Sequence, residues 1–193
     1  MKIDFKKMNG LVPVIIQDNV SKCVLMLGYM NEEAYERTQK DKLVTFWSRS
    51  KNRLWQKGES SGNKLKVIAI KMDCDSDALL VTAEPLGPTC HTGNTSCFGD
   101  DFSLGDLFKL LKDRKAKMPK GSYTASLFKE GQKAILDKVE EESEEVIRAA
   151  NSEGKQRLIE ESCDLLYHLF VLLINENIDF GDIDDELSKR NLK

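Results

Sequence analysis

The sequence predicts an α+β, strand-rich N-terminal domain followed by an all-α helical bundle. Before residue 100, short runs rich in β-branched and aromatic residues are separated by turn residues, which is typical of strands. After residue 104, apolar residues recur at helical spacing and no strand-like run occurs. Residues 99–103 form a linker between these two patterns. We therefore expect one domain over residues 1–102 and a second over residues 103–193.

The N-terminal domain is expected to contain one helix and several strands. The helix covers about residues 31–40, with Asn31 as its N-cap and acidic residues in its first turn. The last two strands flank an acidic run over residues 73–77, which places that run at a hairpin turn. The strands are expected over residues 12–16, 23–27, 43–47, 65–72 and 78–83.

The C-terminal domain is expected to be helical throughout. Its first helix ends before Pro119 and Gly121, since both residue types interrupt helices. The helices are expected over residues 104–117, 131–150, 153–175 and 183–190.

Charge, apolar content and cysteine spacing indicate which classes of protein this sequence does not fit. A formal net charge of -3 gives no excess of basic residues, so we expect no nucleic-acid partner. The N-terminus lacks the apolar core of a signal peptide, and the longest apolar run, residues 165–174, is too short to cross a bilayer. The five cysteines are not spaced as a disulfide scaffold. We expect a cytoplasmic protein without a membrane partner, in which Cys23 and Cys163 are buried as small apolar residues.

Three cysteines form a candidate zinc site. Cys90 and Cys97 are separated by six residues, which differs from the spacing of a structural zinc knuckle. Together with Cys74 they supply three thiolates and leave a fourth position for water, as in catalytic zinc sites. His91 is a candidate fourth ligand or proton shuttle.

Three aspartates of the same hairpin form a candidate magnesium site. If residues 73–77 are extended, successive side chains point to opposite faces. Asp73, Asp75 and Asp77 then face one way and supply hard oxygen ligands, which suit magnesium. Cys74 faces the other way, which favours completion of the zinc site across a dimer interface.

Two alternatives for the acidic run remain open. The three aspartates and Glu84 fall at positions 1, 3, 5 and 12 of a calcium-binding loop. However, Ala78 stands where that loop requires glycine, and the flanking segments are strand-like rather than helical. The run is otherwise a surface turn that binds no metal.

Four motifs over residues 8–100 resemble those of phosphoribosyl-AMP cyclohydrolase, the ring-opening enzyme of histidine biosynthesis. They are Trp47-Ser48-Arg49-Ser50, Leu54-Trp55-Gln56-Lys57-Gly58-Glu59-Ser60-Ser61-Gly62, Asp73-Cys74-Asp75-Ser76-Asp77 and Cys90-His91-Thr92-Gly93-Asn94-Thr95-Ser96-Cys97-Phe98. Ser60 departs from the threonine usual in that family but keeps the hydroxyl.

The resemblance implies zinc on Cys74, Cys90 and Cys97, with Cys74 supplied by a partner subunit, and magnesium on the three aspartates. The substrate is an adenine whose N1 carries a ribosyl group, so its C6 is electrophilic. Zinc-activated water attacks C6 and the C6–N1 bond breaks, while His91 moves the protons. The substrate-binding residues implied by the motifs are Trp47, Arg49, Ser50, Arg53, Lys57, Glu59, Ser60, Ser61 and Thr92.

Two helices of the C-terminal domain each place carboxylates on an apolar stripe. Glu142 and Glu161 lie within the stripes, and Glu145 and Asp164 follow three residues later on the same side. Facing carboxylates repel one another strongly unless a cation lies among them. An acidic pair at i and i+3 on each of two helices is a known way to build a metal site in a bundle.

Two less specific interpretations of the polar residues on these helices remain open. The acid-rich run over residues 140–145 is typical of a solvated helix face. His168, on the stripe of the second of these helices, fits a hydrogen-bonded core histidine equally well.

The helical domain, residues 104–193, resembles phosphoribosyl-ATP pyrophosphohydrolase, one of the all-helical nucleotide pyrophosphohydrolases. The motifs are Gly121-Ser122-Tyr123-Thr124, Lys138-Val139-Glu140-Glu141-Glu142-Ser143 and Glu161-Ser162-Cys163-Asp164-Leu165-Leu166-Tyr167-His168. Glu140, Ser143 and Cys163 depart from the small residues usual there, but all four carboxylates are kept.

This second resemblance implies magnesium on Glu142, Glu145, Glu161 and Asp164, with Glu142 and Glu145 as catalytic residues and Glu141 assisting. The metal bridges the triphosphate and helps to position the attacking water. The implied phosphate contacts are Arg114, Ser122, Thr124 and Lys138.

Together the resemblances imply a bifunctional hydrolase with small nucleotide substrates, in which the helical domain acts first. We expect a homodimer, because the zinc site takes Cys74 from a neighbour and a lone pair of acidic helices makes an incomplete bundle. The alternative is a housekeeping nucleoside triphosphate pyrophosphohydrolase fused to a zinc-stabilised binding domain.

Overall fold

Strands dominate the N-terminal unit of the chain, as the sequence predicts. The computed structural model describes residues 3–99 and 102–191, and residues Met1–Ser103 belong to one structural unit. One helix, α1 (Glu32–Asp41), lies between the second and third strands. The strands are β1 (Val12–Asp18), β2 (Val24–Met30), β3 (Thr45–Ser48), β4 (Arg53–Gln56), β5 (Leu65–Met72) and β6 (Leu79–Pro85).

Four of these strands form a mixed sheet in the order β2-β1-β6-β5. The pairs β1–β2 and β5–β6 are antiparallel, whereas β1 and β6 are parallel, with Val14 opposite Leu79. The two short strands β3 and β4 form a separate antiparallel hairpin. The sheet therefore joins the start of the domain to its end, and the β5–β6 hairpin carries the acidic run.

Alternation along β1 explains the core of this unit. Val12, Val14 and Ile16 are fully buried, whereas Ile15 between them is 39% exposed.

Helix α1 begins as predicted, since the side-chain oxygen of Asn31 accepts a hydrogen bond from the backbone N–H of Ala34 at 2.8 Å. Strand β4 was not predicted, because its four residues, Arg-Leu-Trp-Gln, form a strand only as the partner of β3.

The second unit, Leu104–Lys193, is helical wherever the structure describes regular elements, which confirms the predicted fold class. Its core packs Phe108, Leu111, Ile135, Phe170 and Val171 together. The helices are α2 (Leu104–Lys117), α3 (Tyr123–Glu130), α4 (Gln132–Arg148), α5 (Lys155–Asn175) and α6 (Phe180–Asn191).

Two features of this unit differ from the sequence prediction. Helix α3 was missed because it is short, although Ser122 caps it by accepting a hydrogen bond from the Ala125 N–H. The second predicted helix does not run evenly to residue 150, because α4 ends at Arg148 and a π-helical turn, Ala149–Glu153, leads into α5. Such turns often occur near functional sites.

The outward faces of α4 and α5 remain apolar in the single chain. Leu136, Ile147, Ile159 and Leu166 are between 37% and 62% exposed. Cys163 on α5 is also exposed, so the prediction that it is buried is wrong for the single chain, whereas Cys23 is partly buried. None of the described helices combines the length and apolarity that crossing a bilayer requires.

Candidate active sites

The acidic run at the β5–β6 hairpin folds as a turn that gathers its three aspartates. The backbone N–H of Asp73 donates to the carbonyl of Ala78 at 3.2 Å, and Ser76 adopts a left-handed conformation with a φ of 63°. One carboxylate oxygen of Asp73 accepts hydrogen bonds from the backbone N–H groups of Asp77 and Ala78 at 3.0 and 3.1 Å. Carboxylate oxygens of Asp73, Asp75 and Asp77 lie within 4.8 Å of one another.

Residues 73–77 thus lie at the predicted hairpin turn and do not continue as extended backbone, but the aspartates converge all the same. A turn of this kind folds back on itself, so its own N–H groups orient Asp73 while the other two carboxylates approach it. The calcium-loop alternative fails, because its flanks are strands and Glu84 lies on β6, where it pairs with Lys66 at 3.1 Å.

Lys7 places its ammonium group against this cluster. It forms ion pairs with Asp75 and, at 2.7 Å, with Asp77. The hydrogen bond from Lys7 holds the pKa of the Asp75 carboxyl below its ordinary value. Three converging carboxylates, two of which already bind one cation, fit a hard divalent ion such as magnesium.

The loop over residues 88–98 holds two of the predicted zinc ligands. The backbone N–H of Cys90 donates to the Asn94 carbonyl at 3.0 Å, which closes a tight turn around His91. The N–H of Cys97 donates to the Leu25 carbonyl at 2.8 Å, so the loop is fastened to β2. The Thr92 hydroxyl donates to the Cys90 sulfur at 3.0 Å, and Nδ1 of His91 lies 3.9 Å from that sulfur.

The two thiols differ in their electrostatic environment. The Thr92 hydroxyl lowers the pKa of Cys90, because a hydrogen bond to the sulfur favours the thiolate. Burial raises the pKa of Cys97, and the neighbouring Cys90 raises it further. Two thiols that influence each other's pKa, one of which favours the thiolate, suit a soft metal such as zinc.

Cys74 does not join these two cysteines within one chain. Among the described residues, two groups of three potential ligands lie within 4.8 Å of one another, and neither group contains a cysteine. Cys74 is exposed in the turn that carries the aspartates. The single chain thus brings together two of the three predicted zinc ligands.

The predicted substrate residues of this unit surround the β3–β4 hairpin. Trp47 lies on β3 opposite Leu54, and Arg49 and Ser50 follow in the turn between the strands. The guanidinium carbon of Arg49 lies 3.8 Å from the centre of the Tyr29 ring, a stacking partner that the sequence did not reveal because Tyr29 lies in a strand-like apolar run.

The remaining predicted substrate residues, on β4 and in the loop after it, differ in their burial and in their partners. The guanidinium of Arg53 binds the carboxylate of Glu59 through two nitrogens, so each is the partner of the other in the free protein. Lys57 is buried, and its positive charge favours the thiolate of Cys97. Ser60 and Ser61 are exposed in the loop that follows β4.

A second acidic cluster joins α4 to α5. Carboxylate oxygens of Glu142, Glu145 and Glu161 lie within 4.8 Å of one another, and Glu142 and Glu161 are buried. Asp164 is exposed and stands outside this trio. Buried carboxylates this close cannot all stay ionised without a cation, so the trio fits a divalent metal.

Two arginines partly neutralise the cluster. Arg157 pairs with Glu161 and lies 3.8 Å from Glu145, and Arg148 pairs with Glu145 at 3.0 Å. Burial raises the pKa of Glu161 and its hydrogen bond with Glu145 raises it further, whereas Arg148 lowers the pKa of Glu145. Neither arginine was predicted, because nothing in their local sequence distinguishes them from solvated helix charges.

A polar network connects α2, α3 and α5 beside this cluster. Arg114 donates to the Thr124 hydroxyl at 3.0 Å, and that hydroxyl lies 2.5 Å from the Tyr167 hydroxyl. Lys138 pairs with Glu141 at 2.7 Å and with Glu142 at 3.4 Å. The predicted phosphate contacts Arg114, Thr124 and Lys138 are thus held by neighbours, and Ser122 serves as the cap of α3.

His168 is buried within the same region and both of its ring nitrogens have partners. Nε2 lies 3.1 Å from the hydroxyl of Tyr123, and Nδ1 lies 3.0 Å from the carbonyl of Asp164. Because a carbonyl only accepts, the proton belongs on Nδ1 and the tyrosine hydroxyl donates to Nε2. The reading of His168 as a hydrogen-bonded core histidine is confirmed, although Nδ1 also lies 3.7 Å from Glu142.

Comparison with known proteins finds matches over both units. The family phosphoribosyl-AMP cyclohydrolase matches residues 26–99, and the family phosphoribosyl-ATP pyrophosphohydrolase matches residues 104–191. The chain is 50% identical to the histidine biosynthesis bifunctional protein HisIE of Bacteroides thetaiotaomicron, over 99% of this chain and 97% of that protein. It is 49% identical to the protein of the same name from Escherichia coli K12, over 98% of this chain and 96% of the relative.

Proposed function

We propose that this chain, which belongs to the family of the histidine biosynthesis bifunctional protein HisIE, hydrolyses phosphoribosyl-ATP with its helical unit and opens the adenine ring of the resulting phosphoribosyl-AMP with its strand-rich unit. The observation that carries the proposal is that each matched unit gathers its own acidic cluster. The cyclohydrolase match over residues 26–99 contradicts the alternative that the first unit is only a binding domain.

Ring opening adds one water across the bond between C6 and N1 of the adenine. Oxygen attaches to C6, the C6–N1 bond breaks, and N1 takes up a proton, so that C6 becomes the carbon of a carboxamide. Cys90 and Cys97, together with the partner subunit's Cys74, would hold zinc, which would supply an activated water. His91, beside Cys90, takes the proton from the nucleophile and returns it at N1.

The other residues of this unit bind and orient the nucleotide. Arg49, stacked on Tyr29, presents a guanidinium to the 5′-phosphate or to the base. Arg53 is released from Glu59 when a phosphate competes for it. The Thr92 hydroxyl lowers the pKa of Cys90 and so favours the thiolate, which is the form that binds zinc. Asp73, Asp75 and Asp77 would hold magnesium, which would supply a further positive charge for the anionic nucleotide.

Pyrophosphate release is a hydrolysis at the α-phosphorus of the triphosphate. Water attacks that phosphorus, and the bond to the bridging oxygen of the β-phosphate breaks. Glu142, Glu145 and Glu161 would hold magnesium, which would neutralise phosphate charge and activate the attacking water. Asp164, one turn beyond Glu161, completes the ligand set from the edge of the cluster.

Basic residues around the helical cluster then contact the phosphate chain. Lys138 lies 3.4 Å from Glu142, so its ammonium would be available to a phosphate group bound beside the carboxylates. Arg114 is oriented by Thr124, which is in turn held by Tyr167. This chain of hydrogen bonds fixes the guanidinium before the substrate arrives, which lowers the entropic cost of binding.

We also propose that the active form is a cytoplasmic homodimer. The exposed apolar faces of α4 and α5 and the separation of Cys74 from the other two thiols both favour a second copy of the chain. A reducing compartment keeps the five cysteines as free thiols, which zinc binding requires.

The test supplies phosphoribosyl-ATP to the full chain and follows pyrophosphate and the ring-opened product together. In Cys97→Ala we expect pyrophosphate release to continue while phosphoribosyl-AMP accumulates, with ring opening reduced by more than about a hundredfold. Cys23→Ala, which removes a thiol outside the zinc loop, is the matched control and should leave both activities unchanged.

The complementary variant is Glu142→Ala. Pyrophosphate release should fail, while supplied phosphoribosyl-AMP is still converted at the rate of the unmodified protein. The exposed Glu144 of the same helix gives the control Glu144→Ala. If Cys97→Ala opened the ring at the normal rate, the zinc assignment would be wrong, and if Glu142→Ala released pyrophosphate normally, the helical assignment would be wrong.

A further inference from the structure

The N-terminal segment is fastened to the turn that carries the aspartates. Ile3 is buried in the core, and the backbone N–H of Asp4 donates to the carbonyl of Ser76 at 2.8 Å. The carboxylate of Asp4 then accepts hydrogen bonds from the N–H groups of Lys6 and Lys7 at 3.0 and 3.2 Å. This local turn fixes the backbone from which the Lys7 side chain extends.

From that position the ammonium of Lys7 reaches two carboxylates at once. It contacts Asp75 and lies 2.7 Å from Asp77, and both of these belong to the trio of converging aspartates. Two residues far apart in sequence from Lys7 therefore hold it as they would hold a small cation.

An ammonium and a divalent metal ion cannot occupy the same carboxylate oxygens. A metal needs those oxygens at about 2.0–2.6 Å with their lone pairs directed at it. The side chain of Lys7 is 42% exposed, so it is free to swing into solvent when a metal arrives. The backbone bond between Asp4 and Ser76 does not involve the carboxylates and is unaffected by that exchange.

We propose that Lys7 is the internal counter-cation of the aspartate site: it neutralises Asp75 and Asp77 in the metal-free protein and is displaced when a divalent ion binds. The inference rests on the proposed magnesium site. Metal binding at this turn is then an exchange of cations in which the Lys7 ion pairs are lost, so the affinity for metal is lower than three unpaired aspartates would give.

The experiment titrates the full chain with Mn²⁺, which prefers the same oxygen ligands as magnesium. Paramagnetic broadening of the Asp77 and Ala78 amide resonances reports binding at this turn, because both amides belong to the turn itself. Lys7→Met removes the charge and keeps the length of the side chain. Lys71→Met removes an equal charge from an exposed lysine on β5 close to the turn and is the matched control.

In Lys7→Met we expect half-maximal broadening at a Mn²⁺ concentration about fivefold lower than in the unmodified protein, in line with the loss of exposed ion pairs. In Lys71→Met the change should be less than about twofold, since it alters only the screened field. Lys7→Arg keeps the positive charge and should stay close to the unmodified protein.

Equal midpoints in Lys7→Met and Lys71→Met would overturn the counter-cation assignment while leaving the metal site in place. Absence of broadening in every variant, the unmodified protein included, would overturn the magnesium site itself and the inference with it. The two failures are therefore distinguishable in one set of spectra.

Discussion

Replacement of Gly28 by alanine should destabilise the strand-rich unit and spare the helical one. Gly28 lies on β2 opposite Val14 of β1, and a Cβ at this position would lie within 3.0 Å of three carbons of the Phe46 ring. Phe46 is 1% exposed and packs against Trp55 with 5.6 Å between ring centres. The buried ring can move only by displacing its neighbours, so the new methyl group overpacks the core.

The size of the effect follows from this geometry. Non-bonded carbons rest about 3.5–4.0 Å apart, so the ring must move by roughly half an ångström to more than one ångström, together with its neighbours. Overpacking of this kind costs about 1–3 kcal/mol. In a domain of this size each kcal/mol shifts the melting temperature by about 4–8 °C, so we expect a decrease of roughly 5–20 °C.

The two activities of one sample provide the assay. After heating at graded temperatures, ring opening and pyrophosphate release are measured on the same Gly28→Ala protein. The temperature of half-inactivation should fall for ring opening and stay unchanged for pyrophosphate release. Gly181→Ala on α6 is the control, because a Cβ there meets no atom within 4 Å and alanine favours the helix.

A double variant decides whether Phe46 is the cause. Phe46→Leu makes room beside position 28, so the pair Gly28→Ala and Phe46→Leu together should lose less stability than the sum of the two single losses. An unchanged inactivation temperature in Gly28→Ala, or strict additivity in the pair, would refute the overpacking argument.

Three further outcomes are expected. In metal-free protein, alkylation of Cys90 should begin at lower pH than that of Cys97, because its lowered pKa means that the thiolate persists to lower pH. In Thr92→Val, the pH dependence of Cys90 alkylation, followed by mass spectrometry, should shift to higher pH. An unchanged pH dependence would contradict the role of the hydroxyl. Asn31→Ala should cost the strand-rich unit about 1 kcal/mol in urea unfolding, since α1 loses its cap; a loss no larger than experimental error would show that the cap is dispensable. Arg157→Gln should lower the Mg²⁺ concentration that half-restores pyrophosphate release after chelation, by about twofold to fivefold, and a higher requirement would argue that the arginine assists the metal rather than opposing it.

The pattern of apolar residues in the sequence was sufficient to predict the elements whose own residues define a buried face. Strand β1 alternates buried and exposed residues, and α2 shows helical spacing throughout, so both were predicted close to their observed bounds. Strand β4 and helix α3 are short, and their stability comes from a partner rather than from their own residues. No local pattern carries that information.

The residues of the candidate sites likewise divide into those that local spacing predicts and those that only the folded chain brings together. Carboxylates within one turn or on one helix face could be grouped by spacing, even though residues 73–77 form a turn and do not continue as extended backbone. Lys7 could not be found in that way, because it meets its carboxylates through the folded chain. Arg157 pairs with Glu161 on its own helix but reaches Glu145 only across the helix pair, and its local sequence resembles that of an ordinary surface charge. Cys74 remains a prediction, since its two companions lie in a loop that does not reach it within one chain.

The parallel pairing of β1 with β6 has a consequence for synthesis of the chain. The first strand leaves the ribosome early, yet its partner on that side arrives only at the end of the domain, so the sheet stays open along that edge until Pro85 has emerged. Contacts between distant segments form slowly, whereas the helices that follow rely on closer neighbours. We expect the strand-rich unit, although made first, to depend more on chaperones that shield an unpaired strand edge.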